Sequence, residues 1–204
     1  TGSTLTVASG KETVLNLSAA ASGQDALYAT VTGTDTPVAA IVRTVSMDGL
    51  TSKGSDYALP NNASAKSLAL YGLNGGDHAT LYLYTSRKTD VTVSWIDSKG
   101  AQQTNQQELK ANRASAIDLG DVPKSATGIA IAASEPVSAT AKISDDGPDG
   151  QSDFALVNAS ATAKISAIAV PDQSTATVGF VNTADGDRTA IVTAYDTDGK
   201  PVDR

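Results

Sequence analysis

The sequence predicts an all-β protein built as two tandem immunoglobulin-like β-sandwich domains related by an internal repeat. Three observations carry that expectation. Apolar residues alternate with polar ones in short runs, Gly- and Asp-rich turn signals separate the runs, and whole blocks of sequence recur about 100 residues apart.

The alternation has the period of strands. Val91, Val93 and Trp95 alternate with polar neighbours, as do Leu68 and Leu70, Leu81 and Leu83, Ala139, Ala141 and Ile143, and Val178 and Phe180. Successive side chains of a strand point to opposite faces, so each set marks a face turned to a core. No stretch sustains the 3.6-residue period of an amphipathic helix. Turn chemistry falls between the runs, at Asn74-Gly75-Gly76-Asp77, Ser98-Lys99-Gly100, Asp145 to Gly150, Asp185-Gly186-Asp187 and Asp196 to Gly199. Seven or eight short strands per unit of about 100 residues is the pattern of an immunoglobulin-like sandwich. The Cys-Trp-Cys pattern of antibody domains is absent.

The repeat is read from four pairs of elements. SDYALPNNAS at residues 55–64 is echoed as SDFALVNAS at residues 152–160, with Tyr57 and Phe154 97 residues apart. TDTPVAAIVRTVS matches SEPVSATAKIS with Pro37 and Pro136 99 apart, and VSWIDSKG matches VTAYDTDG with Gly100 and Gly199 also 99 apart. GKETVLNL matches NRASAIDL, placing Leu17 and Leu119 102 apart. Loop insertions between equivalent strands account for the drift. Phased from the first residue, the units are 1–101 and 102–204. The alternative cut, near 64 and 162, makes the middle stretch one whole domain and leaves the ends as halves. Sequential connection of strands favours the first phase.

Composition narrows the function classes. A formal net charge of −7 with only 15 scattered basic residues opposes nucleic acid, which demands clustered Lys and Arg. The same acidity opposes anionic lipid, and no apolar run approaches the ~18–20 residues of a membrane-spanning helix. The absence of cysteine excludes disulfides, thiolate metal sites and a cysteine nucleophile. A chain opening at Thr1-Gly2-Ser3 without methionine reads as a processed or trimmed piece of something longer. A Ser/Thr/Ala-rich, acidic, cysteine-free composition points to an exported, extracytoplasmic protein.

Three groups of residues bear chemistry. His78, the single histidine, follows Asp77 in a loop, but neighbouring strand positions point oppositely and no Gly-x-Ser-x-Gly elbow exists, so a triad is not expected. Asp145, Asp146, Asp149 and Asp153 place four carboxylates within nine residues, the clustered oxygen that Ca²⁺ takes. Their spacing departs from the EF-hand rule, and the counterpart loop at 47–56 keeps two acids and gains a lysine. No other cofactor is expected. Tyr82 and Tyr84 share the face of a strand opposite Leu81 and Leu83, and an exposed tyrosine pair can stack on sugar rings. Cross-strand packing is the plainer role for the same pair.

At the repeated elements the sequence resembles an uncharacterised family of exported or membrane-anchored actinobacterial proteins. The resemblance rests on GKETVLNL and NRASAIDL, the Pro37-Val38 and Pro136-Val137 strands, the SD[YF]AL motif and the strand ends in Asp-x-x-Gly. It implies an extracytoplasmic β-sandwich and supplies no functional residues. The functional expectation is a non-catalytic structural or interaction module of the Gram-positive cell envelope, with an envelope protein or polysaccharide as partner. A carbohydrate-binding module using Tyr82 and Tyr84 is the alternative.

Overall fold

The computed structural model describes residues 6–9, 11–30, 39–48, 51–58, 64–146 and 152–161 and, near the end, 182, 186–195, 198 and 200–202. A single helical turn, α1 (Ser18–Ala21), precedes the strands. Asn16 Oδ1 accepts the Ser18 N–H at 2.9 Å at its start. β1 (Val42–Asp48) and β2 (Thr51–Ala58) form an antiparallel hairpin. β3 (Ala65–Tyr71), β4 (His78–Thr85), β5 (Thr89–Asp97), β6 (Gly100–Leu109), β7 (Arg113–Asp121), β8 (Gly128–Asp146), β9 (Ser152–Asn158) and β10 (Ser160–Ala161) follow. Two short strands, β11 (Ala194–Tyr195) and β12 (Pro201–Val202), pair with each other.

The 19-residue strand β8 organises the fold. Its first part, Gly128 to Ala133, pairs with β3 on one side and β5 on the other, and β6 and β10 extend that sheet as β10-β3-β8-β5-β6. Its second part pairs with β4 and β9, giving the second sheet as β7-β4-β8-β9. A strand that passes from one sheet to the other makes a corner of a β-sandwich. The alternation read from sequence sets which face turns inward. Leu68, Leu70, Val91, Val93, Trp95, Ile129 and Ile131 from the first sheet meet Leu81, Leu83, Ile117, Ala139, Ala141 and Ile143 from the second in one buried cluster. Each fully buried Leu, Ile or Val contributes about 1.5–3 kcal/mol by leaving water.

The corner falls at Ser134-Glu135-Pro136, between the pairs Val91↔Ala133 and Ala65↔Val137. Proline has no N–H for a ladder and is confined to edges, bends and bulges. Buried side-chain hydroxyls take up the remaining backbone groups. Thr89 Oγ1 accepts the Glu135 N–H at 2.8 Å and pairs with Ser134 Oγ at 2.9 Å, while Thr85 Oγ1 lies 3.2 Å from the Pro136 carbonyl. Thr85 and Thr89, with Ser138, are the buried polar residues among the described ones, and each has a backbone or hydroxyl partner or a contact that satisfies it.

Glycine is required by geometry where β8 opens and where β7 bends against β4. Gly128 opens β8 where a Cβ would lie 2.5 Å from the Leu70 carbonyl oxygen. Gly120, at φ 71°, sits in the β4–β7 ladder where Leu119 is the extra residue between the pairs Ala79↔Gly120 and Thr80↔Asp118. A bulge with glycine in the left-handed region bends the strand and re-aims its neighbours.

Candidate functional surface

Chemistry-bearing side chains lie outside the buried cluster. In β4, Tyr82 and Tyr84 point away from it and are half-buried, Tyr82 opposite Ala116 and Thr140, Tyr84 opposite Ala114 and Ser138. Small neighbours leave the rings room to lie across the sheet. Burial pushes the Tyr82 phenol above the ordinary tyrosine range, since the phenolate loses hydration there. The ring of Tyr84 is stacked on Tyr28, centroids 3.5 Å apart and planes within 1°, and its hydroxyl donates to Asn112 Oδ1 at 3.4 Å. Asn112 holds the β6–β7 turn at φ 56° and donates its own N–H to the Thr85 carbonyl at 2.8 Å. A groove of ≈ 410 Å³ lies here, lined by Gln24, Leu27, Tyr28, Tyr84, Asn112 and Ala114. The face of Tyr84 toward the amino-terminal segment is thus occupied by another ring. Tyr28 and Asn112 were not visible as partners in the sequence, because both reach Tyr84 only through long-range packing and a turn.

His78 opens β4 beside the bulge. Its Nε2 stands 2.9 Å from Asp118 Oδ1, and its Nδ1 stands 3.4 Å from Asp121 Oδ1. Asp118 Oδ1 also accepts the Gly120 N–H at 2.8 Å, which fixes the carboxylate in place. The ring nitrogens therefore face carboxylates from β7, and Asp77 takes no part. Ser144 Oγ donates at 3.5 Å to the His78 backbone carbonyl, not to the ring. This arrangement is a histidine–carboxylate cluster at a strand end and, among the described residues, lacks the hydroxyl-to-imidazole contact of a nucleophilic triad. The sequence signal for it was the Asp118-Leu119-Gly120-Asp121 run, which is a bulge signature once pairing with β4 is known.

The acidic stretch is seen in part. Asp145 is exposed and sits opposite Asp153 in the β8–β9 ladder, with Asp146 opposite Ser152. Asp149 and the side chains of Asp146 and Asp153 lie outside the described residues. Among the described residues, no group of three or more His, Asp or Glu side chains could hold a metal ion.

The two SD[YF]AL motifs meet. Asp56 Oδ2 of the first accepts the Leu156 N–H of the second at 2.6 Å, so β2 lies beside β9. Arg43 places its guanidinium carbon 5.7 Å from the Tyr57 ring centre, and Lys142 places its ammonium 4.9 Å from that of Phe154. Arg43 and Lys142 are themselves 99 residues apart, so the same basic-on-aromatic pair is built twice from equivalent strands. Residues 1–204 all match the model of a family of unknown function, DUF5719. The chain belongs to DUF5719. A search of curated proteins found no match. Among solved structures, the crystal structure of Thermotoga maritima 1070 is similar at 14% identity and a TM-score of 0.38, over 48% of this chain and 95% of that one. In this DUF5719 chain, no helix among the described residues is long and apolar enough to cross a membrane.

Proposed function

We propose that this DUF5719 chain is a non-catalytic structural or interaction module of the bacterial cell envelope, working outside the cytoplasm. Its building block is an immunoglobulin-like sandwich used twice, and an envelope protein or polysaccharide is its partner. One observation carries the reading. Among the described residues the core holds Leu, Ile, Val and Ala side chains with a single Trp and a single Phe, while every ionisable side chain described is at least partly exposed. Acid–base catalysis draws on groups whose protonation is tuned by burial, and surface-borne polar groups over a dry core are instead the equipment of a scaffold. Export, an actinobacterial and Gram-positive source and attachment to the envelope are supported by the cysteine-free, acidic composition and by the resemblance of the repeated motifs. Protease shaving of intact producing cells, read by immunoblot, tests the location: removal of the protein from intact cells is expected, and complete protection until lysis would overturn it.

Carbohydrate binding is the second reading, and the groove beside Tyr84 favours it, since aromatic rings with amide side chains such as Asn112 and Gln24 are what sugar recognition uses. Tyr82 is the ring left to stack, because Tyr28 covers one face of Tyr84. A glycan array comparing the protein with a Tyr82→Ala, Tyr84→Ala double variant decides: equal binding by both would remove this reading.

A further inference from the structure

The large apolar residues that are exposed fall almost entirely in the two terminal parts, 7–58 and 191–202. Several of them have repeat counterparts in the sandwich that are buried. Val192 is 64% exposed and its counterpart Val93 is 0%; Leu15 is 51% and Ile117 4%; Tyr57 is 57% and Phe154 6%. Sequence equivalence therefore says what each exposed face should meet.

The amino-terminal part carries the counterparts of β7 (residues 11–17), of the second part of β8 (β1) and of β9 (β2). The carboxy-terminal part carries those of β4 (residues 175–182) and β5 (residues 188–196). In the sandwich, β4 lies between β7 and the second part of β8, and β5 lies against the first part. Each terminal part thus holds the strands that the other wants. β11 and β12 also pair across the turn that corresponds to the β5–β6 hairpin.

We infer that the two terminal parts are halves of a second sandwich and bind each other, with the sandwich of β3 to β10 inserted between them. Proximity supports partnership within one chain over partnership with a second copy. β10 pairs antiparallel with β3, Ala161 opposite Leu68, and Ala65, where the amino-terminal part joins, is three residues further along β3. The two connections leave the sandwich about 10 Å of strand apart. Short separation of the connection points is what tolerates insertion of one domain into another, and it makes the closing event intramolecular.

The test uses the full chain, which has no native cysteine to interfere. Tyr82 and Thr140 are register partners, and their counterparts are Gly179 and Ile41. An Ile41→Cys, Gly179→Cys variant is expected to close a disulfide within monomers, at a yield independent of protein concentration, because directly opposed strand residues meet disulfide geometry. A bond between chains whose yield rises with concentration would overturn the inference in favour of a second copy, and failure to form any bond would also overturn it. Hydrogen exchange on the unmodified chain guards against a variant that misfolds. Amides of residues 41–48 and 188–195 are expected to exchange slowly, and Val192→Asp to speed both segments by about 10-fold or more while β3 to β9 stay unchanged. Fast exchange of either segment in the unmodified chain, or acceleration of residues 188–195 alone, would sink it.

Discussion

Tyr82 shows how a residue that looks like a ligand platform earns a place in the energetics of the sheet. Burial raises its phenol, so the unfolded chain releases that proton first and the folded chain holds it. The contribution to stability is complete below the ordinary tyrosine range and is lost as pH rises through the folded value. Urea unfolding at about pH 9 and about pH 11 should show a loss of stability that the Tyr82→Phe variant reduces, read by Trp95 fluorescence. A loss of equal size in both proteins would assign the effect to other groups. Much at this scale was legible beforehand: Leu68, Leu70, Leu81, Leu83, Val91, Val93, Trp95, Ala139, Ala141 and Ile143 are all buried, as alternation indicated. The paired aromatics were legible only in part. Phe154 is buried, whereas its counterpart Tyr57 is exposed beneath Arg43, because β8 carries β4 on its other side and β1 has no such further neighbour among the described residues.

Pro136 is the element-scale lesson. The repeated Pro-Val reads in sequence as the start of a strand, and in the structure it is the corner where one strand leaves a sheet and enters another. Sequence could not reveal this, since residues on both sides of the corner keep alternating and only pairing partners distinguish one sheet from the next. The corner depends on hydroxyls contributed from β4 and β5. Thr85→Val keeps the shape of the side chain but strands the Arg87 N–H that Thr85 Oγ1 accepts at 3.2 Å and removes the hydroxyl proton shared between the Arg87 carbonyl at 2.7 Å and the Pro136 carbonyl at 3.2 Å. A buried group left without its partner costs about 1–3 kcal/mol. The expected outcome is a urea midpoint lowered accordingly with an unchanged far-ultraviolet spectrum, whereas an unshifted midpoint would mean that water satisfies the corner. The bulge at Gly120 is a second feature that only pairing places: against β4 it is a kink that aims Asp118 at His78.

On the scale of the molecule, every residue of the buried cluster lies between Leu68 and Ala159. The sandwich takes β3 to β6 from before residue 110 and β7 to β10 from after it. A fragment spanning 64–162 is therefore expected to fold alone, with one cooperative urea transition seen alike by Trp95 fluorescence and circular dichroism. Two separated transitions, or no transition, would show that the terminal parts supply needed contacts. Composition accounts for the materials of this core, since the chain is 40% hydrophobic and only 4% aromatic. It could not anticipate the order of strands, because the period of a repeat tells where equivalent strands recur and leaves open which loop is the boundary.

The central place of β8 has a consequence for biosynthesis. Until residues 128–146 have been made, β3 has no neighbour and nothing joins the β5–β6 ladder to the β4–β7 ladder. A ribosome-bound chain that has released only its first 120 residues thus presents unpaired strand edges, the species most inclined to aggregate. Closure of both sheets is held back until the keystone strand arrives, and the two sheets then form around it in one step.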